Sequence, residues 1–373
     1  MHPTRTLVVA AVVAAALLVG AAPAMASGGG QGKGGGAVYT LTNSAGGNAV
    51  AVFERARDGS LTPAGSVSTG GDGAGAGLGS QGALVLDRGR LLAVNAGSDT
   101  ISLLRVRGHR SVRLVDTAAS GGVRPISVTV HGKLVYVLNA GGAATPANVH
   151  GFVARRGELV PLPGSARPLS TAAPDPAQIE FSPNGRHLVV TEKATNTIVT
   201  YRVTLGYAGA PTAQPSAGET PFGFAFDRRG RLVVSEAFGG APDASVLSSY
   251  ALARDGTVTP ITPNVATTET AACWVVVTKN SRYAYTTNTG SNSISGYRIG
   301  KDGGLTLLDA DGKTATTGAG PLDLALSKGS RFLYSLNSGV SEVQGFAVGG
   351  DGSLEPLGSA GGLPAGTVGL AAS

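Results

Sequence analysis

Apolar and polar residues alternate with a period of two through most of the chain beyond residue 37, in short runs broken by Gly, Pro, Asn and Asp. Such alternation places one face of each run in a core and predicts β-strands. One run recurs seven times, each copy ending on Asn or Glu: VYTLTN at Asn43, LLAVN at Asn95, LVYVLN at Asn139, LVVTE at Glu192, RLVVSE at Glu236, YAYTTN at Asn288 and FLYSLN at Asn337. The steps between these ends are 52, 44, 53, 44, 52 and 49 residues, with a mean of 49.

Each unit repeats the same parts. An apolar alternation follows a proline, as in Pro176-Ala-Gln-Ile-Glu-Phe181 and Pro321-Leu-Asp-Leu-Ala-Leu326. A turn such as Pro183-Asn184-Gly185 leads into the Asn/Glu-ending strand, and a Gly/Ser-rich loop leads to a third strand such as Asn196-Thr-Ile-Val-Thr-Tyr201. Asp58-Gly59, Asp255-Gly256 and Asp351-Gly352 then mark tight turns into a fourth strand, as two-residue Asp-Gly sequences do in hairpins. Four antiparallel strands cannot bury both their faces alone, whereas seven copies arranged radially can. The chain ends predict closure. The first unit begins at its second strand, Ala37-Val38-Tyr39, and after the seventh unit a segment remains, Leu363 to Ala372, that reads as the missing first strand. The expected fold is therefore an all-β, seven-bladed propeller over residues 37–373, with its open edge removed by the C-terminal strand.

Composition narrows the class further. The 58 glycines and only 14% charged residues argue against a helical protein, since glycine costs about 1 kcal/mol per helical position relative to Ala. The single cysteine, Cys273, excludes a disulfide scaffold and predicts a small buried side chain. Met1 to Arg5 is short and basic, Leu7 to Leu18 is apolar, and Ala24-Met25-Ala26 is a small-x-small site. This pattern predicts a signal peptide over 1–26, a Gly-rich linker over 27–36, and a secreted chain with no membrane span. The net charge of +6 is too dilute to imply nucleic-acid binding. The one basic cluster, Arg105, Arg107, Arg110 and Arg113 around Gly108-His109, reads as a solvated hairpin.

In such a ring the start of each first strand and the end of each second strand meet at one face, around the mouth of the central channel. Second-strand ends in five units are Asn, a short amide suited to capping the next turn; in the fourth and fifth they are Glu192 and Glu236. Two carboxylates on neighbouring blades could serve as acid and base or hold a divalent cation, with Lys193 beside them. From the first strands come Gln178, Asp323 and Trp274, the sole tryptophan and a candidate stacking platform. Arg124 precedes its proline at the same level. Gly77-Leu-Gly79-Ser-Gln-Gly82 matches GxGxxG but precedes a strand, so no dinucleotide site is expected.

The repeated VYVLNAG…TISxF/Y…DGxLxPL pattern resembles the YVTN-type propellers and, more specifically, the lactonase-like seven-bladed family that includes 6-phosphogluconolactonases and carboxymuconate cyclases. The resemblance spans residues 37–373. It implies lactone chemistry at the channel mouth, carried in the family by histidines just after the first-strand proline and by arginines. Here the matching segments read Arg124-Pro-Ile-Ser127, Pro176-Ala-Gln178 and Pro221-Phe-Gly223, without histidine. Two function classes follow. The first is a secreted, monomeric lactonase-like hydrolase or isomerase with Glu192 and Glu236 catalytic and Trp274, Asp323, Gln178, Lys193 and Arg124 binding a lactone or sugar acid. The second is a non-catalytic propeller that binds a small molecule, glycan or protein on the same face.

Overall fold

The computed structural model describes residues 35–108 and 111–373. The expected signal peptide, the linker up to residue 34, and His109-Arg110 of the basic hairpin lie outside the described residues. Seven antiparallel sheets follow one another along the chain, each with four strands in the order of the repeat. Blade 4 is representative, with Pro176–Phe181, His187–Glu192, Thr197–Thr204 and Tyr207–Pro215. In blades 3 and 6 the outermost strand is split: Glu158–Pro161 and Arg167–Pro168 both pair with Asn148–Arg155, and Leu305–Leu307 and Ala315–Thr316 both pair with Ser293–Ile299.

The ring closes as the chain ends predict. Val368–Ala372 pairs antiparallel with Gly36–Leu41, Val38 facing Ala372 and Thr40 facing Leu370. Ala37 and Ser373 then exchange hydrogen bonds, N–H of Ala37 to Ser373 Oγ at 2.8 Å and N–H of Ser373 to the Ala37 carbonyl at 2.9 Å. The first strand of the propeller proper starts at Gly36, one residue inside the expected linker. Second strands end on the predicted residue in six blades. Blade 1 differs. Its strand stops at Leu41, and Asn43 turns into the left-handed region at φ 51°. There its amide donates to the Ala76 and Gly366 carbonyls, tying the closing segment to the connection that leads into blade 2.

The core lies between blades. Tyr136, Tyr285 and Tyr334 occupy the same second-strand position in blades 3, 6 and 7 and are fully buried. Each hydroxyl crosses to a glycine carbonyl in the outer turn of the next blade, Gly206, Gly352 and Gly59, at 2.9 Å. A buried tyrosine needs such a partner for its O–H. The Asp-Gly turns therefore serve blade docking as well as chain reversal. Among the described residues no helix is long and apolar enough to cross a membrane.

Candidate functional site

The first strands of all seven blades line the axis. In the four blades that begin with Pro125, Pro176, Pro221 and Pro321, the first strand opens at the proline, which lacks the N–H that an interior ladder position would need. Between these strands lies a cavity of about 480 Å³. Gln81 and Gly82 bound it at the face where first strands begin, and Asp87, Phe181, Phe226, Val277 and Leu326 bound it at the other.

The end bounded by Gln81 is plugged. The segment Gly77–Gly82 crosses the axis and bonds to blades on every side. Gln81 N–H donates to the Ala177 carbonyl of blade 4 at 3.0 Å. The Gln81 side chain mimics a strand against Val275 of blade 6, donating to its carbonyl at 2.8 Å and accepting from its N–H at 2.9 Å. Ser80 donates to the Ile126 carbonyl of blade 3, and the Trp274 indole donates to the Ser80 carbonyl at 2.9 Å. A Cβ on Gly223 would lie 2.2 Å from Gln81 Oε1 and 2.5 Å from the Cys273 carbonyl, so only glycine admits the plug there. The GxGxxG stretch is thus a structural stopper, and what sets it apart in the sequence is a Gly-rich connection between units without an alternating pattern.

Trp274, at 6% exposure, packs on Phe222 with ring centroids 5.0 Å apart. Lys193 Nζ sits 5.0 Å above the same Phe222 ring, donates to the Gly79 carbonyl at 2.8 Å, and pairs with Asp175 at 3.3 Å. Both side chains therefore hold the plug. Cys273 is buried as expected, and desolvation pushes its thiol up to about 12, which leaves it inert as a nucleophile. Arg124 is exposed and contributes no atom to the cavity lining; its backbone N–H donates to Asp99 Oδ1 at 2.7 Å.

Glu192 and Glu236 are fully buried. Glu192 accepts from the Ser170 N–H at 3.0 Å, from the Ser170 hydroxyl, and from Thr195 Oγ1 at 2.9 Å. Glu236 accepts from Ser216 Oγ at 2.7 Å, Ser248 Oγ at 2.5 Å and Tyr250 Oη at 2.5 Å. In blades 2 and 6 the amide donates to hydroxyls at the matching places, Asn95 to Thr100 and Ser102, Asn288 to Ser293 and Ser295. The two glutamates occupy the same hub with polarity reversed, each tying the end of its second strand to the connection that arrives from the preceding blade, at Ser170 for Glu192 and Ser216 for Glu236. Among the described residues no three His, Cys, Asp or Glu side chains come together in a set that could hold a metal ion, so the donors for a cation are not assembled around them.

Gln178 and Asp323 do line the cavity. Gln178 bridges to blade 5, donating to the Phe224 carbonyl at 2.9 Å and accepting its N–H at 2.7 Å. Asp323 accepts the N–H of Leu324 at 2.9 Å and of Leu370, in blade 1, at 3.1 Å. Burial pushes its carboxyl up to about 7, with the two N–H donors opposing the rise. One lining residue was absent from the sequence expectations: Glu180, two places along from Gln178 on the same face of the strand. Here burial pushes the carboxyl up to about 8, and its one hydrogen bond is a long one from the Gln178 amide at 3.2 Å. The signal for it is legible in retrospect, because the matching inward positions are uncharged, Thr129 in blade 3 and Ala225, Val276 and Ala325 in blades 5 to 7. No histidine lines the cavity.

Residues 155–237 and 245–368, more than half of the chain, match the family model described as a lactonase seven-bladed β-propeller. No curated protein matches the chain. Among solved structures, a candidate 6-phosphogluconolactonase from Bacteroides uniformis superposes with a TM-score of 0.73 at 16% identity, covering 91% of this chain and 99% of the other. The periplasmic gluconolactonase PpgL of Pseudomonas aeruginosa gives 0.69 at 16% identity, covering 89% and 98%. A protein from Lactobacillus plantarum gives 0.70 at 17% identity, covering 91% and 99%. At these identities the likeness shows the fold.

Proposed function

The chain belongs to the lactonase family of seven-bladed β-propellers, and from that premise we propose that it is an exported, single-chain propeller that opens a small lactone inside its axial cavity, with Glu180 as general base. The observation that carries this reading is the state of Glu180: a carboxyl facing the cavity, raised to about 8, with a single weak hydrogen bond. A general base works best when its proton affinity lies near the working pH. In the proposed reaction ionised Glu180 takes a proton from water as the water oxygen bonds to the lactone carbonyl carbon. The ring C–O bond then breaks, and the proton passes to the departing ring oxygen, leaving a hydroxy acid. Gln178 orients the base through its amide. Asp323, held by two backbone N–H groups, fixes the blade 7 to blade 1 junction of the wall. Glu192, Glu236, Trp274 and Lys193 support the blades and the plug.

A panel of gluconic and aliphatic lactones, assayed with the mature protein and with Glu180→Gln, tests the reading. Hydrolysis should rise with pH towards a plateau above about pH 8 and should fall about 10²-fold or more in the variant. Turnover unchanged by Glu180→Gln defeats it.

A second reading, a propeller that binds a small molecule without chemistry, draws on a specific observation: Gln81, Gln178 and Asp323 are each bonded to backbone groups, leaving one titratable group with spare capacity in the cavity. Its mark is a ligand that raises the melting temperature while no lactone in the panel is opened.

A further inference from the structure

The two ends of the axis differ in charge as well as in closure. Away from the plug, the turns joining first to second strands form a ring around the other end of the cavity. In six of the seven blades that turn carries an exposed cation: Arg88, Lys133, Arg186, Arg228, Lys279 and Lys328. The only acids in these turns are Asp87 and Asp227, both paired with arginines of their own turn, Arg88 and Arg90 with Asp87, and Arg231 with Asp227 at 2.6 Å. The outer turns between third and fourth strands, on the same face, add exposed acids, Asp58, Glu158, Asp255, Asp302 and Asp351, beside the exposed cations Arg155, Arg156, Arg254 and Lys301, so the basic excess belongs to the inner ring. Among the described residues Lys133, Arg186, Arg228, Lys279 and Lys328 take part in no ion pair. The plug face carries more exposed acid than base, with Asp72, Asp175, Glu219 and Asp243 at its rim against the exposed cation Arg124. Its lysines, Lys193 and Lys313, are paired with Asp175 and Glu269. The overall charge of +6 hides this separation.

The basic face also carries the most exposed large apolar side chain described. Leu205 is 96% exposed, at φ 53° in the blade 4 turn between Thr204 and Tyr207, and Tyr207 beside it is 39% exposed. That turn lies on the basic face, since the Gly206 carbonyl accepts from Tyr136 and Gly206 packs on Leu134, the residue that opens the second strand of blade 3.

From this arrangement we propose that the turn face docks on an anionic lipid surface, with the ring of lysines and arginines over the headgroups and Leu205 and Tyr207 inserted at the edge. The cations are spread around a disc, which suits a plane better than a linear polymer seated in a groove. A planar anionic lipid surface rewards each nearby Lys or Arg about fivefold in binding, and an apolar tip adds contact below the headgroups. The exposed aromatic on this face is the single Tyr207, too few for the successive stacking platforms that single-stranded nucleic acids use. The proposal rests on the charge and apolar pattern of this face and not on what the cavity binds; docked this way, the open end of the cavity faces the lipid, so cavity ligands exchange in the unbound state.

The test is sedimentation of the mature chain with vesicles of equal parts phosphatidylglycerol and phosphatidylcholine, against vesicles of phosphatidylcholine alone. Binding should favour the anionic vesicles by about tenfold or more at low salt and should fade in half-molar salt, where the Debye length shrinks to about 4 Å. Arg228→Glu/Arg229→Glu should weaken it by at least about tenfold, and Lys279→Glu/Lys328→Glu, on the next blades, should do the same. Lys313→Glu on the plug face should leave binding intact, and Leu205→Ser should weaken it several-fold. Unaltered melting curves confirm that the variants are folded. Equal binding to both vesicles, or indifference to both charge reversals, overturns the proposal. Indifference to Leu205→Ser overturns the inserted contact. Tight binding to soluble heparin or DNA without binding to vesicles reassigns the face to a soluble polyanion and overturns the lipid reading.

Discussion

At the plug end of the propeller, polar side chains are consumed by the protein itself: the Gln81 amide reads Val275 like a neighbouring strand, Trp274 hands its indole N–H to Ser80, and the carboxylates of Glu192 and Glu236 gather serine, threonine and tyrosine hydroxyls. At the turn end, Lys133, Arg186, Arg228 and Lys279 project into solvent without ionic partners among the described residues. The difference lies in what a buried polar atom costs when it is left unpaired. Where seven strands converge on a filled axis most polar groups find a bond, Asn139 Oδ1 and Asn288 Oδ1 being exceptions, and the residues there become structure. Where they part around an opening the same freedom is left over for partners. A polar residue near a propeller axis is therefore informative about function only once its hydrogen bonds have been counted.

Substitutions at the two ends should consequently differ in kind. The largest effect expected is from Trp274→Ala, which removes a buried indole and the plug's support and should cost about 3–5 kcal/mol, read as a loss of melting temperature. Glu236→Ala should follow at about 2–4 kcal/mol, because it strands three hydroxyls in a dry site. A stable Glu236→Ala protein that had lost only activity would break the contrast drawn above.

The pH dependence sharpens it further. Glu180 and Asp323 hold their protons more tightly in the folded chain, at about 8 and about 7, than the ordinary values of 4.5 and 3.8. Their stabilising contribution is complete below about pH 4 and is lost as pH rises through 7 to 8. Denaturant titrations of the parent and of Glu180→Gln should therefore converge at acid pH and separate by about 1–2 kcal/mol at pH 9, with the variant the more stable. The smallest effect belongs to the turn end, where Arg228→Ala or Lys279→Ala should change stability by less than about 0.5 kcal/mol.

Much of this fold was legible in the alternation of residues. The second-strand ends at Asn95, Asn139, Glu192, Glu236, Asn288 and Asn337 fall where the repeat places them, and Val368–Ala372 completes blade 1, because local period and turn chemistry carry that information. The site was less legible. Glu192 and Glu236 stand out from the asparagines in sequence, yet their distinction is spent on hydroxyls of Ser170, Thr195, Ser216, Ser248 and Tyr250, which lie within 22 residues of them but converge only when the blade and its entry connection fold. Glu180 is the one charged residue in an inward row that is otherwise apolar but for Thr129, a signal visible only once first strands are aligned on their lumen face. The plug and the basic ring are invisible in any one unit. Gly77–Gly82 acquires its role from contacts with blades 3, 4 and 6, and the cations acquire theirs from six separate turns brought onto one circle.

The stopper at Gln81 also decides how traffic in the cavity must run. A tube sealed at one end conducts nothing from side to side, so whatever reaches Glu180 must back out through the aperture by which it arrived. On the proposed lactonase reading, departing molecules contend with incoming ones for a single doorway, and accumulated product should slow turnover by occupancy alone.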